Sequence, residues 1–339
     1  MQVVEARNVH QALPEVMHLL KTQGVHRDSR NGPVLKVDGP ATIMYRQPRE
    51  RVMFWPERDA NPFFHMLEAL WMLAGRNDLA FVASILPSMA NFSDDGATFH
   101  GAYGHRWRCH FNFDQLFWIV DALQRNPDDR RQVLQIWDVK VDLNRPSGRD
   151  LPCNTHVYFA VNEGKLDMTV CNRSNDAVWG ALGANAVHFS ILQEYMAVQI
   201  GCEVGRYWQV TNNLHLYLDI HTDLMETMAA RAFPSRQYKI SCPYEQNIVT
   251  TTPLIPSGDH VKFDRDVRML LDEGDAPLGT GDWFVRRIAS QMLRVIRIYK
   301  DKTESKKERL VLAQNTVSLM PSNNDWTLAA QEWLARRAK

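Results

Sequence analysis

Apolar side chains recur at helical spacing in several segments of the 339-residue chain. Residues 62–75, PFFHMLEALWMLAG, predict a buried helix that begins at Pro62 and ends at Gly75. Further helices are predicted over residues 114–125, 186–201 and 219–231, and from about Asp325. Residues 9–24 predict an amphipathic helix, because its apolar positions lie three or four residues apart: Val9, Leu13, Val16, Met17 and Leu20.

Alternating apolar and polar positions predict strands elsewhere. The segments are VLKVDGPATIMYR, RRQVLQIWDVKVDL, THVYFAVNEGKLDMTVCN, EVGRYWQVTNNLHLY and RLVLAQNTVSLM. The third is predicted to be a hairpin that turns at Asn162-Glu163-Gly164. HRDSRNGP and residues 88–104 have the composition of loops. Because the chain shows neither an internal repeat nor a low-complexity linker, we expect one α+β domain, α/β sandwich-like, over residues 1–339.

Composition and charge narrow the class of protein. The chain is 45% hydrophobic, and Lys+Arg and Asp+Glu both number 39, so the formal charge is zero. A neutral total argues against a broad nucleic-acid-binding face, and we expect no nucleic-acid partner. The five scattered cysteines contain no CxxC pair, which favours a reducing compartment over a disulfide framework. With no signal-peptide core and no apolar run near 18 residues, we expect a cytoplasmic protein without a membrane span.

The polar stretch CNRSND stands between a predicted strand and the helix over residues 186–201. Its Arg173 and Ser174 are candidate phosphate ligands, as is Arg30 in the DSRNG segment. The pair Arg130 and Arg131, after NPDD, suits bidentate phosphate recognition, although paired arginines are commonly solvated surface residues.

Cys153, in DLPCNTHVYF, is a candidate nucleophile, because nearby arginines would lower its pKa and favour the thiolate. A buried structural cysteine is the alternative. Glu68 lies among apolar neighbours, where a carboxylate can exchange protons near neutrality, unless it sits on a narrow solvent edge of the helix. His215 and Tyr217, two apart on a strand, would share a face and could bind a sugar hydroxyl, or could belong to an ordinary edge strand.

Several common site patterns are missing from the sequence. HExxH and similar groupings are absent, so we expect no metal site. GxGxxG, the P-loop pattern and GxSxG are also absent, which disfavours dinucleotide enzymes, kinases and α/β-hydrolases.

Six blocks, taken in chain order, resemble the thymidylate synthase family over residues 16–230. They are EALWMLAGRND, YGHRWR, DDRRQVLQIWD, LPCN, RSNDAVWG and LHLY. The resemblance implies a large twisted mixed sheet flanked by helices, and a homodimer that pairs back to back. It also implies that Cys153 attacks C6 of a pyrimidine, that Glu68 organises proton transfer and that Asn185 reads the base edge.

The resemblance assigns the remaining candidates to the other parts of a nucleotide and to folate. Arg30, Arg173 and Ser174 would bind the phosphate of a pyrimidine nucleoside monophosphate, and Arg130 and Arg131 would reach the phosphate of the partner subunit. His215 and Tyr217 would hold the 3'-hydroxyl of the sugar. Asp176 and Gly180 would contact the co-substrate, 5,10-methylenetetrahydrofolate, and Asp176 would also be catalytic.

Four features depart from the synthase pattern and resemble the pyrimidine nucleotide hydroxymethylase branch. The signature is RSND instead of RSCD, and Asn154 replaces the histidine after the nucleophile. The segment SMANFSDDGATFHGAYG lacks the family's shielding tryptophans. The chain ends in a basic helix, EWLARRAK, within a divergent extension from about residue 300, instead of a short apolar lid. Admitted water would then add to the C5 methylene and give a hydroxymethyl group.

These features lead us to expect folate-dependent C5 hydroxymethylation of dUMP. An asparagine amide can donate to O4 of uracil and accept from N3–H, which favours Asn185 reading dUMP. GALGAN is one residue longer than the family pattern, however, which leaves Ala184 as the other candidate for that position and dCMP or CMP as alternative substrates. The same residues also leave open a thymidylate synthase, a catalytically silent nucleotide-binding relative and a structural dimeric module.

Overall fold

The protein contains two β-sheets flanked by helices. The computed structural model describes residues 1–145, 147–232, 242–274 and 281–338. Its strands are β1 (Gln2–Ala6), β2 (Gly24–Ser29), β3 (Gly32–Val37), β4 (Ala41–Tyr45), β5 (Val133–Gln135), β6 (Asn154–Asn162), β7 (Lys165–Asn172), β8 (Asn175–Asp176), β9 (Glu203–Thr211) and β10 (Leu214–Tyr217).

The α-helices are α1 (Val9–Gln23), α2 (Pro62–Leu73), α3 (Leu79–Ile85), α4 (Tyr103–Arg108), α5 (Gln115–Arg125), α6 (Val139–Asp142), α7 (Asn185–Ile200), α8 (Leu218–Ala229), α9 (His260–Glu273), α10 (Ser290–Lys300), α11 (Lys306–Val317) and α12 (Asp325–Ala338). An irregular π-type segment, Ala177–Ala184, leads into α7.

The larger sheet is mixed, in the order β1-β4-β9-β7-β6-β5. β1 runs parallel to β4 and β7 parallel to β9, whereas the other neighbouring pairs are antiparallel. The prediction of an α+β fold with a mixed sheet flanked by helices is confirmed. The hairpin predicted to turn at Asn162-Glu163-Gly164 is β6–β7, whose register pairs Asn162 with Lys165.

The smaller sheet, β2-β3-β10-β8, carries part of the candidate site. β10 lies between β3 and β8, so His215 and Tyr217 do not belong to an edge strand. The predicted HRDSRNGP loop is wrong over residues 26–29, which belong to β2. This strand is exposed along nearly its whole length, so its side chains show no alternation of apolar and polar positions that would predict a strand.

Two strand predictions in other parts of the chain are wrong. In RRQVLQIWDVKVDL only Val133–Gln135 is a strand, and residues 139–142 form the short helix α6. RLVLAQNTVSLM belongs mostly to α11, which begins with a capping box between Ser305 and Glu308. Its buried Leu310, Ala313 and Val317 are spaced for one helix face, a signal that outweighs the local β-branched residues.

α7 is the central helix, and it is buried along most of its length. It packs against α2, which begins at Pro62 after the cap residue Asn61, whose side chain accepts a hydrogen bond from the Phe64 amide at 3.1 Å. The buried apolar residues form one connected core, whose members range along the chain from Val4 in β1 to Leu334 in α12. The final helices therefore share the core that holds the candidate site.

The C-terminal helix α12 docks on α2 and on the loop before it. The ring of Trp333 meets Phe63 edge to face, with centroids 5.3 Å apart. Arg336 and Arg337 both contact the carboxylate of Asp59, at 2.9 Å. The predicted basic terminal helix is present, and its basic residues are used to hold the helix in place.

Asp325, the first residue of α12, is a buried carboxylate. It accepts hydrogen bonds from the hydroxyls of Tyr244 and Thr252, each at 2.9 Å. Burial nevertheless raises the pKa of Asp325 from 3.8 to about 6, because removal from water penalises the charged form. Because the folded protein favours the neutral acid, Asp325 contributes most to stability below its ordinary pKa of 3.8. This contribution is lost as the pH rises through about 6.

We expect Asp325→Asn to flatten the pH dependence of stability. A rise of about two pKa units corresponds to about 3 kcal/mol of unfolding free energy, lost by the unsubstituted protein between about pH 4 and pH 7. The amide variant, which does not ionise, would keep a nearly constant contribution over that range. Urea unfolding of both proteins at several pH values measures the difference, and parallel curves would contradict the assignment.

Candidate active site

Six of the residues suggested by the sequence line two cavities, whereas Cys153, Arg173 and Asp176 line neither. The first, of about 390 Å³, is lined by residues that include Arg30, Ser174, His215 and Tyr217. The second has a volume of about 190 Å³ and a mixed lining. Its polar residues are Glu68, Tyr103, Asp150, Asn185 and His188. The turn before Cys153 contributes Asp150 to the second cavity. We call these the sugar-phosphate cavity and the base cavity.

Cys153 lies at the end of a turn that Arg173 holds in place. The Arg173 amide donates to the Cys153 carbonyl at 2.9 Å, which ties the turn to the end of β7. The guanidinium donates through Nε to the Pro152 carbonyl at 2.9 Å and through Nη2 to the Leu151 carbonyl at 3.1 Å. The same Nη2 lies 3.9 Å from Cys153 Sγ. Arg173 therefore places a positive charge beside the candidate nucleophile.

Nearby arginines lower the pKa of Cys153, as expected, but burial outweighs their effect. Burial raises the pKa of the thiol above its ordinary value, and the charges of Arg173 and Arg30 offset only part of the rise. Arg130 and Arg131 do not contribute, because both are exposed and Arg131 pairs with Asp129 at 2.8 Å.

The sugar-phosphate cavity combines a turn with a strand face. Arg30 lies in the β2–β3 turn, where its Nη1 donates to the Gly148 carbonyl at 3.4 Å. His215 and Tyr217 lie on one face of β10, as predicted, with ring centroids 5.2 Å apart. His215 Nδ1 is 3.3 Å from the Asn213 carbonyl, and a carbonyl can only accept. In the neutral ring this makes Nδ1 the donor and leaves Nε2 as an acceptor for a hydroxyl.

Glu68 faces the base cavity from α2. Its side chain is 13% exposed, and its Oε2 lies 3.1 Å from His188 Nε2 on α7. The contact has an ion-pair distance without hydrogen-bond alignment. The alternative of a solvent edge for Glu68 is not what the structure shows, because the carboxylate opens into a cavity instead of the outer surface.

The Asn185 side chain is held at both ends of its amide by other asparagines. Its Nδ2 donates to Asn175 Oδ1 at 3.0 Å, and its Oδ1 accepts from Asn154 Nδ2 at 3.3 Å. Asn154 and Asn175 are the two residues that depart from the synthase pattern in LPCN and RSND. Both departures therefore act on the residue expected to read the base. Ala184 also lines the cavity, but it has no polar side-chain atom to offer.

These asparagines belong to a longer buried series of hydrogen bonds, which we call the amide chain. Its members, in order, are Thr211, Asn172, Asn154, Asn185, Asn175 and Gln209. At one end Gln209 Nε2 donates to the Ala181 carbonyl at 2.8 Å. A backbone carbonyl can only accept, so Gln209 must turn its oxygen towards Asn175. Each amide then orients the next, and the direction of the Asn185 amide is fixed.

Gly180 makes room for this arrangement. A Cβ atom at this position would lie 2.2 Å from Asn175 Oδ1, which is closer than non-bonded atoms approach. The expected contact of Gly180 with folate stays a prediction. The structure adds a separate reason for a glycine here, because a side chain would displace the Asn175 amide.

Asp176 caps the π-type segment and has one carboxylate oxygen to spare. Its Oδ1 accepts from the amides of Val178 at 2.9 Å and Trp179 at 2.5 Å. Its Oδ2 is buried, and it has no hydrogen-bond partner among the described residues. Burial raises the pKa of this carboxyl. A buried acceptor without a hydrogen-bond partner suits a ligand that carries N–H donors, as the heterocycle of folate does.

Several residues of the base cavity were missed by the sequence analysis. Asp150 stands three residues before Cys153, and its nearness in the chain was a usable signal. Tyr103 belongs to the YGHRWR block, but no role was assigned to it. His188 appeared as one of several ungrouped histidines, because its pairing with Glu68 joins positions 120 residues apart on different helices.

The described ranges contain neither a metal site nor a membrane span. No group of three or more His, Cys, Asp or Glu side chains there could hold a metal ion. No helix in the same ranges is long and apolar enough to cross a membrane.

Comparison with known proteins identifies the family. The thymidylate synthase family model matches residues 16–253, and the chain belongs to this family. A deoxyuridylate hydroxymethyltransferase of Pseudomonas phage M6 is 48% identical over 339 residues, which cover 99% of this chain and 95% of the relative. Proteins of the same name from Bacillus phage SP01 and Delftia phage PhiW-14 are 39% and 32% identical, over 56% and 58% of this chain and 52% and 57% of their own lengths.

We expect Arg173 to control the reactivity of Cys153. Since the thiol pKa is raised, alkylation of Cys153 by iodoacetamide should require a higher pH than alkylation of an ordinary cysteine. Arg173→Gln should raise the midpoint further and slow alkylation near neutral pH by about threefold or more, whereas Arg173→Lys should preserve most of the rate. Peptide mass spectrometry separates Cys153 from the other cysteines, and equal rates in both variants would refute the role.

Proposed function

We propose that this protein hydroxymethylates dUMP at C5, with methylenetetrahydrofolate as the one-carbon donor. The observation that carries the proposal is the oriented Asn185 amide in the cavity behind the Cys153 turn. The full-length similarity to a phage protein named deoxyuridylate hydroxymethyltransferase supports the same activity. The family membership supports a one-carbon transferase that acts on a pyrimidine nucleotide.

The nucleotide would be held by its phosphate and sugar while Cys153 attacks the base. Arg30, Arg173 and Ser174 would bind the phosphate, and His215 Nε2 and the Tyr217 hydroxyl would bind the 3'-hydroxyl. Cys153 Sγ would add to C6, and Arg173 would stabilise the thiolate that this attack requires. Glu68, with His188 beside it, would carry protons to and from the base.

The fixed direction of the Asn185 amide supports selection between uracil and cytosine. Each end of the amide keeps one free position: one N–H on Nδ2 and one lone pair on Oδ1. Uracil needs a donor at O4 and an acceptor at N3–H, and cytosine needs the reverse. An amide that cannot flip matches one of the two bases, and the named phage relatives favour uracil.

The folate would lie against the π-type segment, with the spare Oδ2 of Asp176 accepting from its N–H groups. When bound, methylenetetrahydrofolate supplies a carbon at the oxidation level of formaldehyde. The polar lining of the base cavity favours the addition of water to that carbon, which gives a hydroxymethyl group instead of a methyl group. All five cysteines are free, which supports a reducing compartment such as the cytoplasm.

We also propose a homodimer in which Arg130 and Arg131 serve the partner's site. Both arginines are exposed, and neither lines the sugar-phosphate cavity of its own chain. One face of the larger sheet carries a cross-strand row of half-buried or exposed side chains, which would be covered by a second sheet: Val133, Tyr158, Thr169 and Trp208.

The decisive test is to incubate the protein with methylenetetrahydrofolate and dUMP, dCMP or CMP, and to identify the nucleotide by mass. We expect hydroxymethyl-dUMP and no dihydrofolate. A methylated product formed with dihydrofolate would make the protein a thymidylate synthase, and no product from any nucleotide would support a silent relative.

Asn185→Asp tests how the base is read. We expect turnover of dUMP to fall at least about 10²-fold and the preference to shift towards dCMP, because a protonated carboxyl suits the amino group and N3 of cytosine. Asn212→Asp, which alters an exposed amide outside the amide chain, is the control and should keep the preference for dUMP. An unchanged preference in Asn185→Asp would show that another residue reads the base.

Subunit mixing tests the shared site. Cys153→Ala and the double variant Arg130→Ala, Arg131→Ala should each be nearly inactive. Refolding them together should restore about a quarter of the activity, because half of the dimers are mixed and each contains one complete site. If the mixture stays inactive while both variants dimerise, the arginines do not act across the interface.

A further inference from the structure

Asp150 is an ionisable residue of the base cavity to which the roles above give no task. It lies on the turn before Cys153 and lines the cavity together with Glu68, Asn185 and His188. Its Oδ2 accepts a hydrogen bond from the Gly101 amide at 2.7 Å. Its Oδ1 makes no hydrogen bond to any of the described residues. The side chain is therefore oriented by one oxygen and has the other available.

In the binding mode proposed above, C5 of the pyrimidine would lie near this carboxylate. Cys153 bonds to C6, and Asn185 reads the edge formed by N3 and the C4 oxygen. C5 lies between C6 and C4 in the ring, so the C5 substituent projects between the two positions that these residues define. Asp150 belongs to the same turn as Cys153 and to the same cavity as Asn185. It is thus near the carbon where the new group forms.

The base cavity is large and polar enough for ordered water. Its volume of about 190 Å³ exceeds the space of roughly 30 Å³ that one liquid water occupies. Carboxylate, amide, imidazole and phenol groups provide several partners for such a water. The lining also includes the apolar side chains of Trp71, Met72, Met89 and Phe99, so only the polar groups can hold such a water.

Glu68 is less suited than Asp150 to activate this water. Its carboxylate already lies beside His188, at 3.1 Å, and its expected task is proton transfer to and from the base. Asp150 has only a backbone amide as a hydrogen-bond partner among the described residues. Burial raises the pKa of Asp150, and the charges of His100 and Arg106 offset only part of the rise. Its carboxylate is therefore a stronger base than an exposed aspartate.

The turn that carries Asp150 is fixed from outside. Asp94 accepts from Arg145 Nη2 at 2.6 Å and from the Arg149 amide at 3.0 Å. A Cβ atom added to Gly101 would lie 3.0 Å from both the carbonyl and Oδ1 of Asp150, so the two segments are in close contact. A fixed carboxylate can hold a water in one position, as general-base catalysis requires.

We propose that Asp150 is the general base for water addition to the C5 methylene of the nucleotide. The proposal rests on the hydroxymethylase activity proposed above. The water oxygen bonds to the exocyclic carbon while Asp150 takes a proton from the water. The electron pair of the C5-methylene double bond moves to C5 and the C4 oxygen. It then forms the C5–C6 double bond and expels Cys153 as the thiolate, so no oxidant or reductant is consumed.

The test separates the steps before water addition from water addition itself. Tritium at C5 of dUMP is released before water adds, whereas the hydroxymethyl product forms afterwards. For Asp150→Asn we expect single-turnover tritium release within about threefold of the unsubstituted enzyme. Formation of hydroxymethyl-dUMP should fall about 10²- to 10⁴-fold, the range typical for loss of a general base. Nucleotide covalently bound to Cys153 should accumulate and be visible by intact-protein mass.

An added thiol provides a second measurement on the same variant. 2-Mercaptoethanol is partly ionised at mildly alkaline pH, so it can attack the methylene without a base. It should release a thioether nucleotide from Asp150→Asn at a rate close to that from the unsubstituted enzyme. The affinity for dUMP, measured by calorimetry, should be unchanged, which shows that the variant is folded.

Asp38→Asn is the control, because Asp38 is an exposed aspartate that lines neither the base cavity nor the sugar-phosphate cavity. It should form product within about threefold of the unsubstituted rate. The proposal is overturned if Asp150→Asn keeps its product rate, if tritium release falls as far as product, or if Asp38→Asn loses as much. A methylated product from the unsubstituted enzyme would instead remove the proposed function together with this inference.

Discussion

The direction of one buried amide, that of Asn185, constrains the rest of the candidate site. A side-chain amide is nearly symmetric in shape, so packing alone does not decide which end is oxygen. The Ala181 carbonyl fixes the orientation of the Asn185 amide, because it orients Gln209, which orients Asn175, which in turn orients Asn185. This chain of hydrogen bonds crosses from β9 to the start of α7. The sheet, the π-type segment and the central helix must therefore keep their relative positions for the Asn185 amide to keep its direction.

The fold brings the remaining groups to this point by separate routes. α2 carries Glu68, and its packing against α7 brings that carboxylate to His188. The turn before β6 carries Cys153 and is held by Arg173 from the end of β7. The small sheet carries His215 and Tyr217, the pair proposed to bind the sugar, on β10. Desolvation works against the nucleophile in this setting, and the positive charge of Arg173 is the compensation that the structure provides.

The sequence indicates which candidate residues lie close together better than it indicates some of the elements around them. Cys153 and Arg173 come together because they flank one hairpin, β6–β7, whose alternation and turn are strong local signals. β2 was missed because an exposed strand lacks apolar alternation, and α11 was misassigned because β-branched residues masked a capping box. Asp150 and the pairing of Glu68 with His188 depend on tertiary contacts. The polarity of the amide chain depends on a backbone carbonyl, which no residue pattern reveals.

Gly180 has a consequence for how this site could change. Because a Cβ atom there would collide with Asn175 Oδ1, any larger residue at position 180 first requires a smaller or differently placed residue at position 175. The effect of a substitution at one position thus depends on the residue at the other, which is strong epistasis. Screens that vary position 180 alone would find it intolerant of larger residues, and only libraries that vary positions 175 and 180 together would reveal which larger residues position 180 can hold.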